Sequence, residues 1–249
     1  MFDAQHLPTA VAHLLNTPIS YNPFYAHALE STKAAILLDF VLQSEASGEG
    51  FPTHRRMMRE LSLSQHEVKT LMNMLLLKRV LVFRDGTWQV EPFYLETLGF
   101  LAQENGRNEQ LLAFDWLRSV DISRLDLFSI KDAGGSVNAV ILFSLLYDDL
   151  SESDRVNHPI HSEWMHVHDD VWMALSGMGQ KELRNAKQSL KSLGLIETRK
   201  QGFPGKVMYR LNLDLHDRIT WQYTLKEKPK SNATTTRAWL ATTNTAVAV

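Results

Sequence analysis

The stretch LKSLGLIETRKQGFPGKVMYRLN, Leu190 to Asn212, decides how the rest of the chain is read. An apolar helical end stops at Gly194, a residue suited to the left-handed cap of a helix. Leu195 to Lys200 then has β-branched Ile196 and Thr198 and reads as a strand. GFPG is a turn, and KVMYRLN returns as a second strand. Upstream, GQKELRNAKQSLKSLG sets Leu183, Ala186, Leu190 and Leu193 three and four residues apart, one stripe of a helix. Its other face carries Gln180, Lys181, Arg184, Asn185, Gln188 and Lys191, long cationic and amide side chains with almost no acid among them. Before it come SEWMHVHDDVWMALSGM, a short helix ended by Gly177, and VNAVILFSLLYDDL, a strongly apolar helix expected to form the local core.

Helix, helix, turn, helix, strand, hairpin and strand is the order of a winged helix-turn-helix. In that arrangement the third helix enters the major groove and the hairpin meets the flanking backbone or the minor groove. Charge agrees locally. Residues 179–210 hold eight lysines and arginines against Glu182 and Glu197, a net of +6 in a chain of net charge −2. A basic helix face beside a basic hairpin is the footprint of phosphate contact. The expected contacts are Gln180, Lys181, Arg184, Asn185, Lys187, Gln188 and Lys191 on the helix, and Arg199, Lys200, Phe203 and Lys206 on the hairpin.

The pattern occurs twice. QHEVKTLMNMLLLKRVLVFR, Gln65 to Arg84, aligns without a gap on Gln180 to Arg199, with Gln65, Glu67, Leu75 and Arg84 identical to their counterparts. LESTKAAILLDFVLQSE matches VNAVILFSLLYDDL in pattern, and Asp85-Gly86 signals a tight hairpin. The first copy is degenerate. Its third helix is apolar nearly all round, through Leu71, Met72, Met74, Leu75, Leu76 and Leu77, which suggests burial against another surface. Two roles are open for it. One is a homodimer contact through Met72, Leu75 and Leu76. The other is a second DNA reader using Arg55, Arg56, Arg59, Gln65, Lys69 and Asn73.

The fold class expected is therefore mainly α with small β-hairpins (α+β), as two tandem winged helices joined by a helical linker. The divisions are an N-terminal arm (1–28), the first winged helix (29–92), a helical linker (93–135), the second winged helix (136–225) and a disordered Thr/Ala-rich tail (226–249).

Bulk composition narrows the function. There are no cysteines, which excludes disulfides, thiolate metal sites and cysteine nucleophiles. The N-terminus lacks a basic segment ahead of an apolar one, and no apolar run is long enough to span a bilayer, so a cytoplasmic, membrane-free protein is expected. No phosphate-binding glycine loop, nucleophile elbow or Ser/His/Asp arrangement is present, so no enzymatic activity and no cofactor are expected. HPIHSEWMHVHDD, residues 158–170, gathers His, Asp and Glu, but at no recognised metal-ligand spacing. It reads as a surface loop, with Asp169 and Asp170 at a helix N-terminus, and no metal site is assigned.

KQSLKSLGLIETRKQGFPGKVMYRLN, preceded by a helix like VNAVILFSLLYDD, resembles the winged-helix domains of plasmid and phage replication initiators and replisome organisers. The resemblance is clearest over 136–214 and fainter over 29–92. It implies sequence-selective binding of double-stranded DNA in the replication or maintenance of a mobile element, with host replication proteins as further partners. Transcriptional regulators share the same pattern. A protein-interaction scaffold using the apolar face of the first copy is the rival of another class.

Overall fold

The computed structural model of the protein describes residues 18–105, 119–153, 164–202 and 206–226. It is mainly helical, with small antiparallel strand pairs, an α+β architecture. The chain runs through one order of elements twice. The first half is β1 (Ile19–Tyr21), α1 (Pro23–Leu29), α2 (Thr32–Ala46), α3 (His54–Glu60), α4 (Gln65–Leu77), β2 (Leu81–Arg84), β3 (Thr87–Val90) and α5 (Tyr94–Glu104). The second half is β4 (Val120–Ile122), α6 (Arg124–Asp132), α7 (Val137–Ser153), α8 (Asp169–Ser176), α9 (Gln180–Ser192), β5 (Ile196–Gln201), β6 (Lys206–Leu211) and α10 (Leu213–Lys226).

Local chemistry starts these helices where the sequence allows. Asn22 caps α1 by accepting from the Phe24 N–H, with Pro23 at the first helical position. Ser64 and Glu67 form a reciprocal capping box at the start of α4. The Lys33 ammonium, 2.5 Å away, together with the Ser64 hydrogen bonds, holds the Glu67 carboxyl down at about 2. At the equivalent place on α9 the N-cap is Gly179, whose N–H donates to Glu182 Oε2 at 3.0 Å. The apolar stripe Leu183, Ala186 and Leu190 is buried as its spacing predicts.

The two halves meet through β1 and β4. These pair antiparallel with Ser20 opposite Asp121, the middle residue of one strand against the middle residue of the other. Such a pairing places a pseudo-twofold axis at the joint. The stretch 19–29, expected to be part of an arm, thus supplies core: Ile19, Tyr21, Ala26, Ala28 and Leu29 are buried. Likewise 120–132, expected to be part of a linker, is a core strand and helix equivalent to β1 and α1. Residues 1–17 of the arm and 227–249 of the expected disordered tail lie outside the described residues.

Around that axis each half docks its first helix on the other half's helix-turn-helix. The Tyr21 hydroxyl donates to the Ser176 carbonyl at 2.5 Å, and His27 Nε2 donates to the Ala174 carbonyl at 2.8 Å. In the reciprocal contact Arg124 Nη1 donates to Glu60 Oε2 at 2.6 Å, and the Lys131 ammonium donates to the Ser62 carbonyl. Ser62 and Gly177 are equivalent turn residues, and both are left-handed, at φ 51° and 65°. Near the axis Thr32 Oγ1 donates to Asn138 Oδ1 at 2.5 Å.

One carboxyl is buried close to this joint. Asp39 Oδ2 accepts the Asn22 N–H at 2.6 Å, and burial raises Asp39 from its ordinary 3.8 to about 7. Between those values the folded chain keeps a proton that the unfolded chain has released, so folding stability falls as pH rises through that window. Asp39→Asn, which keeps an acceptor for Asn22, is expected to flatten this slope and to stabilise the protein at pH values above about 7. Urea midpoints on the acid and alkaline sides of the window check it; parallel curves for the two proteins would refute it.

Candidate nucleic-acid interface

α9 turns Gln180, Lys181, Arg184, Asn185, Gln188 and Lys191 to solvent, all six exposed. Beside it β5 and β6 pair from Ile196↔Leu211 to Gln201↔Lys206. Alternation along these strands puts Thr198, Lys200, Val207 and Tyr209 on the side toward α9. Helix and hairpin together wall an open groove of about 380 Å³. Arg184, Gln188 and Lys191 line it from the helix, and Thr198 and Lys200 from the hairpin. Lys206 is exposed at the start of β6. Phe203, at the expected wing tip, lies outside the described residues.

Two of the expected contacts are already engaged within the protein. Lys187 is not a free cation. Its ammonium pairs with Asp169 Oδ1 at 2.5 Å and sits 4.9 Å from the centre of the Tyr209 ring, with only 16% of the side chain exposed. It braces α9 against the start of α8 and against β6, so in this structure its charge is already partnered within the protein. Arg199 is exposed, but its guanidinium lies 4.2 Å from the Trp164 ring centre. Arg210 approaches the same ring at 5.0 Å and pairs with Glu197 at 2.5 Å. Met165 extends the hairpin by pairing with Tyr209 in both backbone directions. This hub was invisible in the sequence, because Trp164 is more than thirty residues from both arginines.

The first half differs. On α4, Gln65, Lys69 and Asn73 are exposed along one face, as expected. Arg55 is exposed, but Arg56 is paired with Glu49 and lies 5.4 Å from the Phe40 ring centre, so it braces the fold. Arg59 pairs with Glu60 at 2.6 Å while remaining largely exposed. α4 is not apolar all round in its packing. Val68, Leu71, Met72 and Leu75 form its buried stripe. Met72 and Leu75 are therefore closed inside their own core and cannot make the expected dimer contact; of that trio only Leu76 reaches the surface.

His166 and His168 rings stand edge to face with centres 4.7 Å apart, and His166 Nδ1 donates to the Val207 carbonyl at 2.9 Å. No group of three metal-ligating side chains occurs among the described residues; 158–163 of the His-rich stretch lie outside them. Asp169 and Asp170 occupy the first turn of α8, where the helix dipole favours carboxylates. Among the described residues no helix is long and apolar enough to cross a membrane.

No protein-family model, no curated protein and no solved structure matches this chain.

Proposed function

We propose that this protein is a non-catalytic, sequence-selective binder of double-stranded DNA built from two winged helices. The observation that carries the reading is the groove of the second half, where the exposed cationic and amide face of α9 and the basic hairpin border one open space. Phosphates suit Lys181, Lys191, Lys200 and Lys206 as point charges. Base edges suit Arg184 for guanine and Asn185 or Gln188 for adenine. Lys187 also supports the site by holding α9 to α8 through Asp169 and to β6 through Tyr209. The role proposed in the cell is replication initiation or maintenance of a plasmid, phage or other mobile element, supported by the resemblance of 136–214 to such initiators. Regulation of a promoter is the alternative within the same chemistry. Footprinting on the source replicon separates them: repeats beside an A·T-rich segment favour initiation, and a site over a promoter favours regulation.

The binding itself is tested by gel shift at two salt concentrations. Arg184→Ala is expected to cost about 1–3 kcal/mol of affinity and to relax selectivity at one base pair. Lys200→Ala is expected to weaken all sequences alike and to reduce the salt slope by about one. Unchanged affinity in both variants, or no binding by the parent protein at low salt, would overturn the reading.

A further inference from the structure

The second hairpin is basic on both of its sides. Strand alternation sets Glu197, Arg199, Lys206 and Arg210 on the face opposite Thr198 and Lys200. On that outer face Arg210 is neutralised by Glu197, at 2.5 Å. Arg199 is exposed, and among the described residues no carboxylate pairs with it. What its guanidinium meets is the Trp164 ring, 4.2 Å away at the ring centre.

That ring is itself fixed. Trp164 is half-buried, and the next residue, Met165, exchanges both backbone hydrogen bonds with Tyr209, at 2.9 and 2.8 Å. His166 Nδ1 adds a bond to the Val207 carbonyl at 2.9 Å. The chain at Trp164 is thus laid along β6, and the indole is held over the outer face. An aromatic ring attracts a guanidinium through its quadrupole and leaves the charge in place. A stacked guanidinium also keeps its N–H edge open, in the planar fork that fits two phosphate oxygens. A carboxylate partner would have taken both the charge and the fork. Trp164 therefore sets the direction of Arg199 and leaves its capacity to bind an anion intact.

Resting on the duplex-binding reading above, we propose that Trp164 is a positioning residue for DNA binding, presenting Arg199 as a preset, bidentate ligand for a backbone phosphate flanking the α9 groove. The hairpin then holds phosphates from both faces, through Lys200 on one and through Arg199 and Lys206 on the other. Such a contact strengthens binding to every sequence alike and confers no selectivity.

The test is a double-mutant cycle on the full chain, read as affinity for mixed-sequence duplex DNA over a series of salt concentrations. Arg199→Ala is expected to weaken binding roughly tenfold and to lower the salt slope by about one. Trp164→Leu keeps apolar bulk but offers no π face. It should weaken binding roughly threefold to tenfold, the ordering cost of one long side chain, and should have no further effect when Arg199 is already alanine. Trp164→Phe should restore most of the affinity. Arg199→Lys should keep the salt slope and lose the dependence on Trp164, because an ammonium has no planar fork to set. A Trp164→Leu loss of equal size with and without Arg199 would show that the ring only stabilises the hairpin, and overturns the proposal. So does unchanged affinity in Trp164→Leu. If the parent protein binds no duplex at low salt, it is the duplex-binding reading that fails.

Discussion

Arg124→Ala is expected to lower folding stability by about 3–5 kcal/mol, a large part of what a domain of ordinary stability possesses. Arg124 on α6 and Glu60 on α3 are each less than a tenth exposed, and their ion pair joins the two halves at 2.6 Å. The guanidinium also lies 5.9 Å from the Phe40 ring centre. Alanine leaves the buried Glu60 carboxylate with Arg59 as its remaining cation, and Arg59 is mostly in solvent. The cost comes chiefly from that uncompensated charge, not from the net worth of the pair. A double variant, Arg124→Met with Glu60→Gln, removes both charges at similar volume and should recover much of the loss. Urea denaturation of parent, single and double variants checks this. A loss under 1 kcal/mol in Arg124→Ala would mean that the pair does not hold the joint.

Gly177→Ala is the second, with an expected loss of about 2–5 kcal/mol from left-handed strain and overpacking together. Gly177 has φ +65°, and a Cβ there would stand 2.5 Å from Ala26 Cβ and 3.0 Å from the Pro23 carbonyl. Those atoms belong to α1 of the other half, so the methyl would separate the second helix-turn-helix from its seat. Gly48 provides the control. It has φ +76° with nothing within 4 Å of an added Cβ, so Gly48→Ala carries only the backbone penalty, about 1 kcal/mol. The difference between the two variants isolates the packing of the joint. Equal losses would show that the close approach to Ala26 carries no energy. Ser62, at the equivalent turn, is also left-handed, at φ 51°, and its carbonyl accepts from the Lys131 ammonium across the joint.

Much of the exposed face of α9 was legible because it is written in local spacing. The stripe Leu183, Ala186, Leu190 fixes which side of α9 is buried, so the opposite side had to carry Arg184 and Gln188. Gly202-Phe203-Pro204-Gly205 and Asp85-Gly86 mark the two hairpins without help from tertiary structure. The joint was illegible for the opposite reason. β1 and β4 are three residues each, and neither has its partner within 90 residues, so no local pattern announces them. Their helices share shape but little identity, which hid the repeat of 19–29 in 120–132. Charge counting could not foresee the partners of Lys187, because a net charge does not record that Asp169 and Tyr209 converge on one ammonium. Apolar counting misjudged α4. Leu76 lies at the solvent flank of the stripe that buries Met72 and Leu75, and only burial distinguishes a core stripe from a sticky surface.

The pairing of Ile19 with Ile122 also bears on how the chain comes off the ribosome. The leading strand has nothing to bond with until about a hundred more residues have been made, and closing so large a loop is entropically slow. The opening half therefore waits, with its edge unpaired, for a segment from the closing half, and the two mature as a single cooperative body rather than as beads finished in turn.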